Sequence, residues 1–315
     1  MSTQRFPDIL CLGEPMVELV RSGAADSDVY IAGVGGDTSN AAIAAARQGA
    51  NVGYLTALGD DRFGERILKL WAHEGVDATE VQRDPDAPTG LYVIDPDPVE
   101  RHFTYFRTGS AASLYRKDRL PSEYLAKASI LHVSGITLAV SNDLRATAFD
   151  AMRQVRMAGG CVSLDTNLRL KLWNSEDARE VISRAAELAT VLITSIDDSE
   201  TLNGLKDPKL VLSSYASLGC GIIIVTRGEQ GAILQVGTEI REIPSFPATA
   251  IDSTGAGDSF AGAFLAWWHE TGDAWKAANL ASVAASGTVS GLGAVDPIPD
   301  RKTVLRWAVE KAQSS

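Results

Sequence analysis

An α/β fold, with a parallel sheet covered by helices on both faces and a small second sheet set apart from it, is what this sequence predicts. Three observations lead there. From Ile130 onward, short apolar runs alternate regularly with helical patterns, the rhythm of a parallel sheet whose crossovers are helices. Glycines and capping-type residues punctuate those patterns at their ends. Extended, alternating segments within about 14–34 and 89–108 break the rhythm, as strands outside the main sheet would.

Taken in order, Ile9 to Leu12 is a first core strand, and Gly13-Glu14-Pro15 leads the chain out of the core into the extended run Met16 to Val20. Residues 28 to 34 are β-prone. Gly35-Gly36-Asp37-Thr38-Ser39-Asn40 then opens a helix over Ala41 to Gln48, closed by Gly49. That stretch reads either as a well-capped helix and nothing more, or as a glycine turn against which a polar ligand lies. Val52 to Leu58 reads as a strand, Gly59-Asp60-Asp61 as a turn, and Phe63 to Glu74 as a helix with Gly75 beyond it. Thr89 to Ile94 and His102 to Arg107 form a hairpin around a turn holding Pro96 and Pro98. With the earlier segment they make the small sheet, expected to cover a site. Core strands at Ile130 to Ser134, Cys161 to Asp165, Val191 to Thr194 and Ile222 to Thr226 alternate with helices at 142 to 157, 175 to 189 and 207 to 218. Gly231 to Val236 and Glu239 to Ile243 make a second hairpin, and helices over Trp275 to Val289 and 300 to 312 close the chain. No repeat, low-complexity tract or linker divides residues 1–315, which are expected to form one domain.

Composition narrows the function classes. Hydrophobic content of 45% with 22% charged residues is that of a soluble globular protein. A formal charge of −11 argues against nucleic acid or an anionic membrane as partner, and it obliges any acidic small substrate to meet a local cluster of arginines. Cys11, Cys161 and Cys220 lie far apart beside or within apolar runs, the pattern of reduced thiols in a cytoplasmic protein. The N-terminus lacks a basic start followed by an apolar region, so no signal peptide is expected. The four histidines share no metal-ligand spacing; surface or half-buried roles are expected for them.

The most informative stretch runs from Ala250 to Phe264. Gly255-Ala256-Gly257 stands at the mouth of an apolar helix whose first N–H groups lack intrahelical partners, a natural anion site. Asp258 follows directly. It is open to two readings, a capping carboxylate or a base aimed at a substrate hydroxyl beside a phosphate. In an open α/β sheet ligands gather at the carboxyl ends of the strands, so the polar residues there are the next candidates. Arg169, in Asp165-Thr166-Asn167-Leu168-Arg169, has the planar fork that grips a carboxylate or phosphate, or is a solvated loop residue. Alternation places Phe103, Tyr105 and Arg107 on one face, as hairpin core or as a pocket wall, and Tyr92 on the partner strand can share it. Ser195-Ile196-Asp197-Asp198 begins a helix with acids, which compensate the dipole or hold Mg²⁺ through water. No Gly-x-x-x-x-Gly-Lys-Ser/Thr and no early Gly-x-Gly-x-x-Gly is present, so neither a P-loop nor a common dinucleotide site is supported.

Two stretches resemble the signatures of the ribokinase-like carbohydrate kinases, the PfkB family. They are Gly35-Gly36-Asp37-Thr38-Ser39-Asn40 continuing to Gly59-Asp60-Asp61-Arg62-Phe63-Gly64, and Asp252-Ser253-Thr254-Gly255-Ala256-Gly257-Asp258-Ser259-Phe260. The resemblance runs essentially the full length. It implies a Rossmann-like three-layer α/β/α domain with a small β-sheet lid, ATP with Mg²⁺, and transfer of the γ-phosphoryl group to a sugar hydroxyl. Within the family the chain is most similar to the 2-keto-3-deoxygluconate kinases, through Tyr105-Phe106-Arg107 with Ser110 to Ser113, Ser134 to Ala139, Asp165-x-Asn167-x-Arg169-x-x-Leu172-Trp173, and Ser195 to Asp198. At the last, the wider family has Asn first and Glu fourth.

Carried over, Asp258 would be the general base, with the N–H groups of Gly255, Ala256 and Gly257 stabilising the transferred group. Gly35, Gly36, Asp37, Asn40, Tyr92 and Tyr105 would line the sugar pocket, and Arg107 and Arg169 would grip the substrate, at least one on its carboxylate. Asn167, Arg169, Thr226, Gly228 and Gly231 would lie along ATP with Gly255 to Gly257. Asp198 would reach Mg²⁺ through water, and the backbone near Asp252 and Ser253 would bind a monovalent cation, K⁺. The resemblance further implies a cytoplasmic homo-oligomer built through the lid. The alternatives are a kinase for a neutral ketose of the fructose or ribose type, and a non-catalytic sugar- or nucleotide-binding protein on the same fold.

Overall fold

The computed structural model describes residues 6–22, 27–95 and 102–314. The turn expected at Pro96 and Pro98 lies outside them. The strands are β1 (Ile9–Leu12), β2 (Met16–Arg21), β3 (Tyr30–Gly35), β4 (Val52–Leu55), β5 (Ala57–Gly59), β6 (Val76–Asp77), β7 (Gln82–Asp84), β8 (Leu91–Asp95), β9 (His102–Phe106), β10 (Ile130–Ser134), β11 (Cys161–Asp165), β12 (Val191–Ser195), β13 (Ile222–Thr226), β14 (Ala232–Val236) and β15 (Glu239–Ile243). The helices are α1 (Asp37–Arg47), α2 (Arg62–Glu74), α3 (Ser122–Lys127), α4 (Gly135–Ala139), α5 (Asn142–Met157), α6 (Ser175–Ala186), α7 (Ile196–Asn203), α8 (Pro208–Ser217), α9 (Ala256–Thr271), α10 (Ala274–Thr288) and α11 (Arg301–Ser314).

Nine strands form the main sheet in the order β15-β14-β13-β12-β11-β10-β1-β4-β6, parallel from β13 through β6 with an antiparallel hairpin, β14-β15, at one edge. Successive residues of its central strands serve opposite cores. Leu10, Leu12, Leu131, Val133, Leu192 and Ile223 pack with α5, α6 and α8 on one face. Ile9, Cys11, Ile130, Val191, Ile193 and Ile224 pack with α1, α2, α9 and α10 on the other. The fold is therefore the expected α/β/α sandwich. Strand order reverses beside β1, where β4 lies on one side and β10 on the other, and crevices at such a switch point collect ligands at the strands' carboxyl ends. A second sheet, β3-β2-β8-β9, stands apart with its own small core of Met16, Tyr92 and Ile94.

Helices α1 and α9 pack almost backbone to backbone. A Cβ on Gly262 would lie 2.0 Å from the Ala41 carbonyl oxygen and 2.8 Å from Ala44 Cβ. Gly262→Val is expected to cost about 3 kcal/mol, the upper end of overpacking penalties, measured as a fall in the urea midpoint at unchanged slope.

Local departures from the sequence reading have local causes. The strand expected over Val52 to Leu58 divides at Thr56, because Ala57–Gly59 leaves the main sheet to pair with Gln82–Asp84. Helix α1 starts at Asp37 rather than Ala41: Gly36, at φ 117°, makes the turn by itself and frees Asp37 to Asn40 to be the first helical turn. Ser134 caps the unexpected α4 by accepting from Thr137 N. His132 is fully buried rather than half-exposed. Burial lowers its pKa to about 4, and its Nδ1 lies 3.1 Å from Ser163 Oγ. All three cysteines are free thiols.

Candidate active site

Asp258 sits in the first turn of α9, yet it is not a cap. Gly255 is the N-terminal flanking residue, at φ 76°, and no side chain caps the helix. A Cβ at Gly255 would meet the Ala294 backbone at 2.8 to 2.9 Å, and the left-handed backbone excludes other residues as well. Beyond the helix's own first turn, no heavy atom of the described residues lies within 4 Å of where a Gly257 Cβ would stand, so there is room beside Gly257 at the mouth of the helix. The lack of a side-chain cap and this room suit a phosphate.

The Asp258 carboxylate receives one amide on each oxygen. Asn40 Nδ2 donates to Oδ2 at 2.8 Å and Asn167 Nδ2 donates to Oδ1 at 3.2 Å. Burial raises its pKa to about 7, helped by the nearby Asp37 charge and opposed by Asn40, Arg169 and Asn167. Asp37 is itself buried, and its pKa is raised by that burial against the pull of the Ser134 hydroxyl, the Thr38 N–H and the two arginines, Arg107 and Arg169. Asp37 Oδ2 and Asn40 Oδ1 are buried acceptors without a partner among the described residues, one helical turn apart on α1. Two orphan acceptors beside a carboxylate suit a ligand rich in hydroxyl donors.

Register in the second sheet assembles one wall. Tyr92 on β8 pairs directly with Tyr105 on β9, their rings 5.7 Å apart, and Phe103 joins them. The Tyr92 hydroxyl donates to Glu18 Oε2 at 2.7 Å. It also lies where a Cβ on Gly35 would stand, 2.2 Å away, which brings Gly35 against this wall. Arg107 follows β9 with its guanidinium 5.8 Å from the Tyr105 ring centroid. Its charge is already engaged: Nε donates to Glu14 Oε2 at 2.7 Å, Nη2 contacts the same oxygen, and Ser110 Oγ donates to Oε1. Glu14, entirely buried at the carboxyl end of β1, was passed over in the sequence, where it looked like part of the chain's exit from the core. Its position after a core strand was the available signal. Arg169 is exposed, donates to Leu168 O at 2.8 Å, and makes no ion pair among the described residues.

The acidic loop behaves differently from a bare metal site. Asp198 Oδ2 accepts from Leu168 N at 3.0 Å and from Thr166 Oγ1 at 2.8 Å, bracing the loop after β11. Among the described residues no three His, Cys, Asp or Glu side chains converge on a common metal position. This donor set fits Mg²⁺ only as an ion carried in on phosphates with its own waters. Asp252 is tied up in its own turn, accepting from Thr254 N and Thr254 Oγ1 at 3.0 and 2.7 Å and from Gly293 N at 3.0 Å. The Ser253 carbonyl receives Ala256 N at 3.3 Å.

A cavity of about 470 Å³ at the carboxyl ends of β12 and β13 is lined by Ser195, Asp197, Lys206, Thr226, Arg227 and Gly228, among others. Gly231 is not at its rim; a Cβ there would lie 2.2 Å from Ile243 O, so this glycine serves the approach to β15. Asn40, Asn167, Asp37, Arg169 and Asp258 thus come together; Thr226 and Gly228 line a neighbouring cavity; Asp252 and Ser253 stand in the turn before α9.

A family model described as pfkB family carbohydrate kinase matches residues 8–301. The 2-dehydro-3-deoxygluconokinase of Thermoproteus tenax is 33% identical over 294 residues, covering 90% of this chain and 88% of the relative. The probable fructokinase-4 of Arabidopsis thaliana is 33% identical over 265 residues, covering 82% and 81%. A crystal structure of fructokinase with bound ATP from Xylella fastidiosa superposes with a TM-score of 0.89 at 25% identity, covering 96% of this chain and 98% of that one. With the family model spanning nearly all of the fold, including the glycine turn before α1 and the mouth of α9, this chain belongs to the pfkB family of carbohydrate kinases.

Proposed function

We propose that this protein is an ATP-dependent kinase acting on the terminal hydroxyl of 2-keto-3-deoxygluconate or a close 2-keto-3-deoxy sugar acid. The observation that carries the reading is Asp258: a half-buried carboxylate whose pKa desolvation raises to about 7, at a helix N-terminus without a side-chain cap, beside orphan acceptors that suit sugar hydroxyls. The acceptor oxygen attacks the γ-phosphorus, the bond to the ADP oxygen breaks, and the hydroxyl proton passes to Asp258. The N–H groups of Gly255, Ala256 and Gly257 hold the charge on the transferred group. Gly35, Gly36, Asp37, Asn40, Tyr92 and Tyr105 form the sugar pocket. The cavity at Thr226 and Gly228, with Lys206 and Arg227 on its wall, takes the nucleotide, and Mg²⁺ on its phosphates offsets their charge.

The acid preference rests on the site's charges. Arg107 is neutralised by Glu14, whereas Arg169 makes no ion pair among the described residues and is the cation available to a substrate carboxylate. In this reading the second sheet is a lid, and its exposed Tyr30, Ile31 and Phe106 build a homo-oligomer interface in a cytoplasmic enzyme. The neutral-ketose reading stays in view because a fructokinase relative is as similar in identity as the sugar-acid kinase. A coupled ADP-release assay over a panel of sugar acids and neutral ketoses tests this. The expected outcome is the highest kcat/KM on 2-keto-3-deoxygluconate; a higher value on fructose or ribose would replace the acid reading with the ketose one.

A further inference from the structure

We propose that Asn167 is a positioning residue for Asp258: its amide fixes the reacting carboxylate, and Asp165 holds Asn167 in the turn that makes this reach possible. The inference rests on Asp258 being the base and assigns Asn167 a task in place of lining the nucleotide.

Among the described residues, Asn167 is the non-glycine residue with positive φ, at 30°. Asparagine tolerates that region better than most residues, which would suffice if its amide bonded to its own backbone. It does not. The amide crosses 91 residues of sequence to donate to Asp258 Oδ1. Glycine would be the relaxed residue for this turn, so the side chain is what the strained conformation delivers.

The surrounding loop is braced to keep it there. Thr166 N donates to Ile193 O at 2.9 Å, Asn167 N to Asp165 Oδ1 at 3.1 Å, and Leu168 N to Asp198 Oδ2 at 3.0 Å. Asp165 is buried, and its charged neighbours, Asp258, Asp198 and Asp37, are all acids, so burial and repulsion raise its pKa. A buried carboxylate among like charges is costly, and the bond to Asn167 N is what it provides. On the far side of Asp258, Asn40 from α1 supplies the other amide. The carboxylate is thus held between two donors that carry no charge, on two separate elements.

Amide donors favour the ionised form of Asp258, whereas the other groups facing it divide in sign. Asp37 on α1 and Asp165 on β11 oppose ionisation, Arg169 favours it, and Tyr92 from β8 is a neutral phenol kept so by burial and by Glu18. Removing the Asn167 amide therefore makes Asp258 harder to ionise. The test uses Asn167→Gly, which relaxes the turn, and Asn167→Asp, which keeps size and turn tolerance while replacing the donor with a carboxylate. The pH dependence of kcat/KM is measured in the full-length protein with ATP and 2-keto-3-deoxygluconate, or fructose if that is the better acceptor.

In Asn167→Gly the acidic limb is expected to move upward by roughly one pH unit. Activity should then fall roughly tenfold near pH 6 and far less near pH 9, with KM for ATP little changed. Asn167→Asp should move the limb further. An unmoved limb in both variants overturns the proposal, and a rise in KM for ATP alone would mark Asn167 as a nucleotide contact instead. Asp258→Asn run alongside separates the two levels: an active Asp258→Asn enzyme removes the base itself, while an inactive one with unmoved limbs removes only the role of Asn167.

Discussion

Asp258→Asn is expected to lower kcat by roughly 10²–10⁴-fold, the span that loss of a general base produces, while ATP still binds and the fold is retained. The substitution keeps the size of the side chain and removes only its capacity to take a proton. Stability should not suffer. Because burial lifts the Asp258 pKa from 3.8 to about 7, the native state holds a proton that the unfolded chain has released throughout that window. Its contribution to wild-type stability therefore declines as pH rises from about 4 to 7, and the variant should lack this slope. ADP release, calorimetric ATP binding and thermal melts across pH check the three parts. Unchanged turnover would remove Asp258 as the base.

The second large effect concerns what the enzyme accepts. Arg169→Ala should raise KM for the sugar acid by roughly 10- to 100-fold, the loss of charge-assisted hydrogen bonds, and that for fructose by only a few-fold. Arg169 is exposed and bonded to one neighbouring carbonyl, so the fold should tolerate its removal. Equal losses on acid and ketose would show that Arg169 does not read a carboxylate. The contrast matters because Arg107, the other arginine of this region, is answered within the protein by Glu14.

The strands of the main sheet and the capped helices were legible because their signals are local. Alternation, glycine stops and capping residues all act within a few positions. Helix α4 was not, since the five residues after Ser134 are too few to display a period. The pairing of Ala57–Gly59 with Gln82–Asp84 was hidden for the same reason. At the candidate site, Asp165-x-Asn167 could be read as a turn, but nothing within it points to Asp258, 91 residues on. Glu14 meets Arg107 across 93 residues, and a lone carboxylate ahead of a proline carries no sign of such a partner. Chemistry-bearing types could be picked out along the chain; which of them satisfy one another is a property of the folded sheet.

The close seam between α1 and α9 bears on how such an enzyme can change. Asn40 rides on one helix and Asp258 on the other, and with Gly262 against Ala41 these two helices cannot slide past each other without a collision of backbones. The Asn40–Asp258 pair is thereby held as a single rigid cassette. Tyr92 and Tyr105 belong to a separate sheet with its own core, yet the Tyr92 hydroxyl presses on Gly35 just before α1 and the Arg107 charge acts on Asp37 in its first turn, so changes there reach the cassette. On the proposed reading, exchanging residues of the small sheet would alter acceptor choice and, through Gly35 and Asp37, the surroundings of Asp258 together.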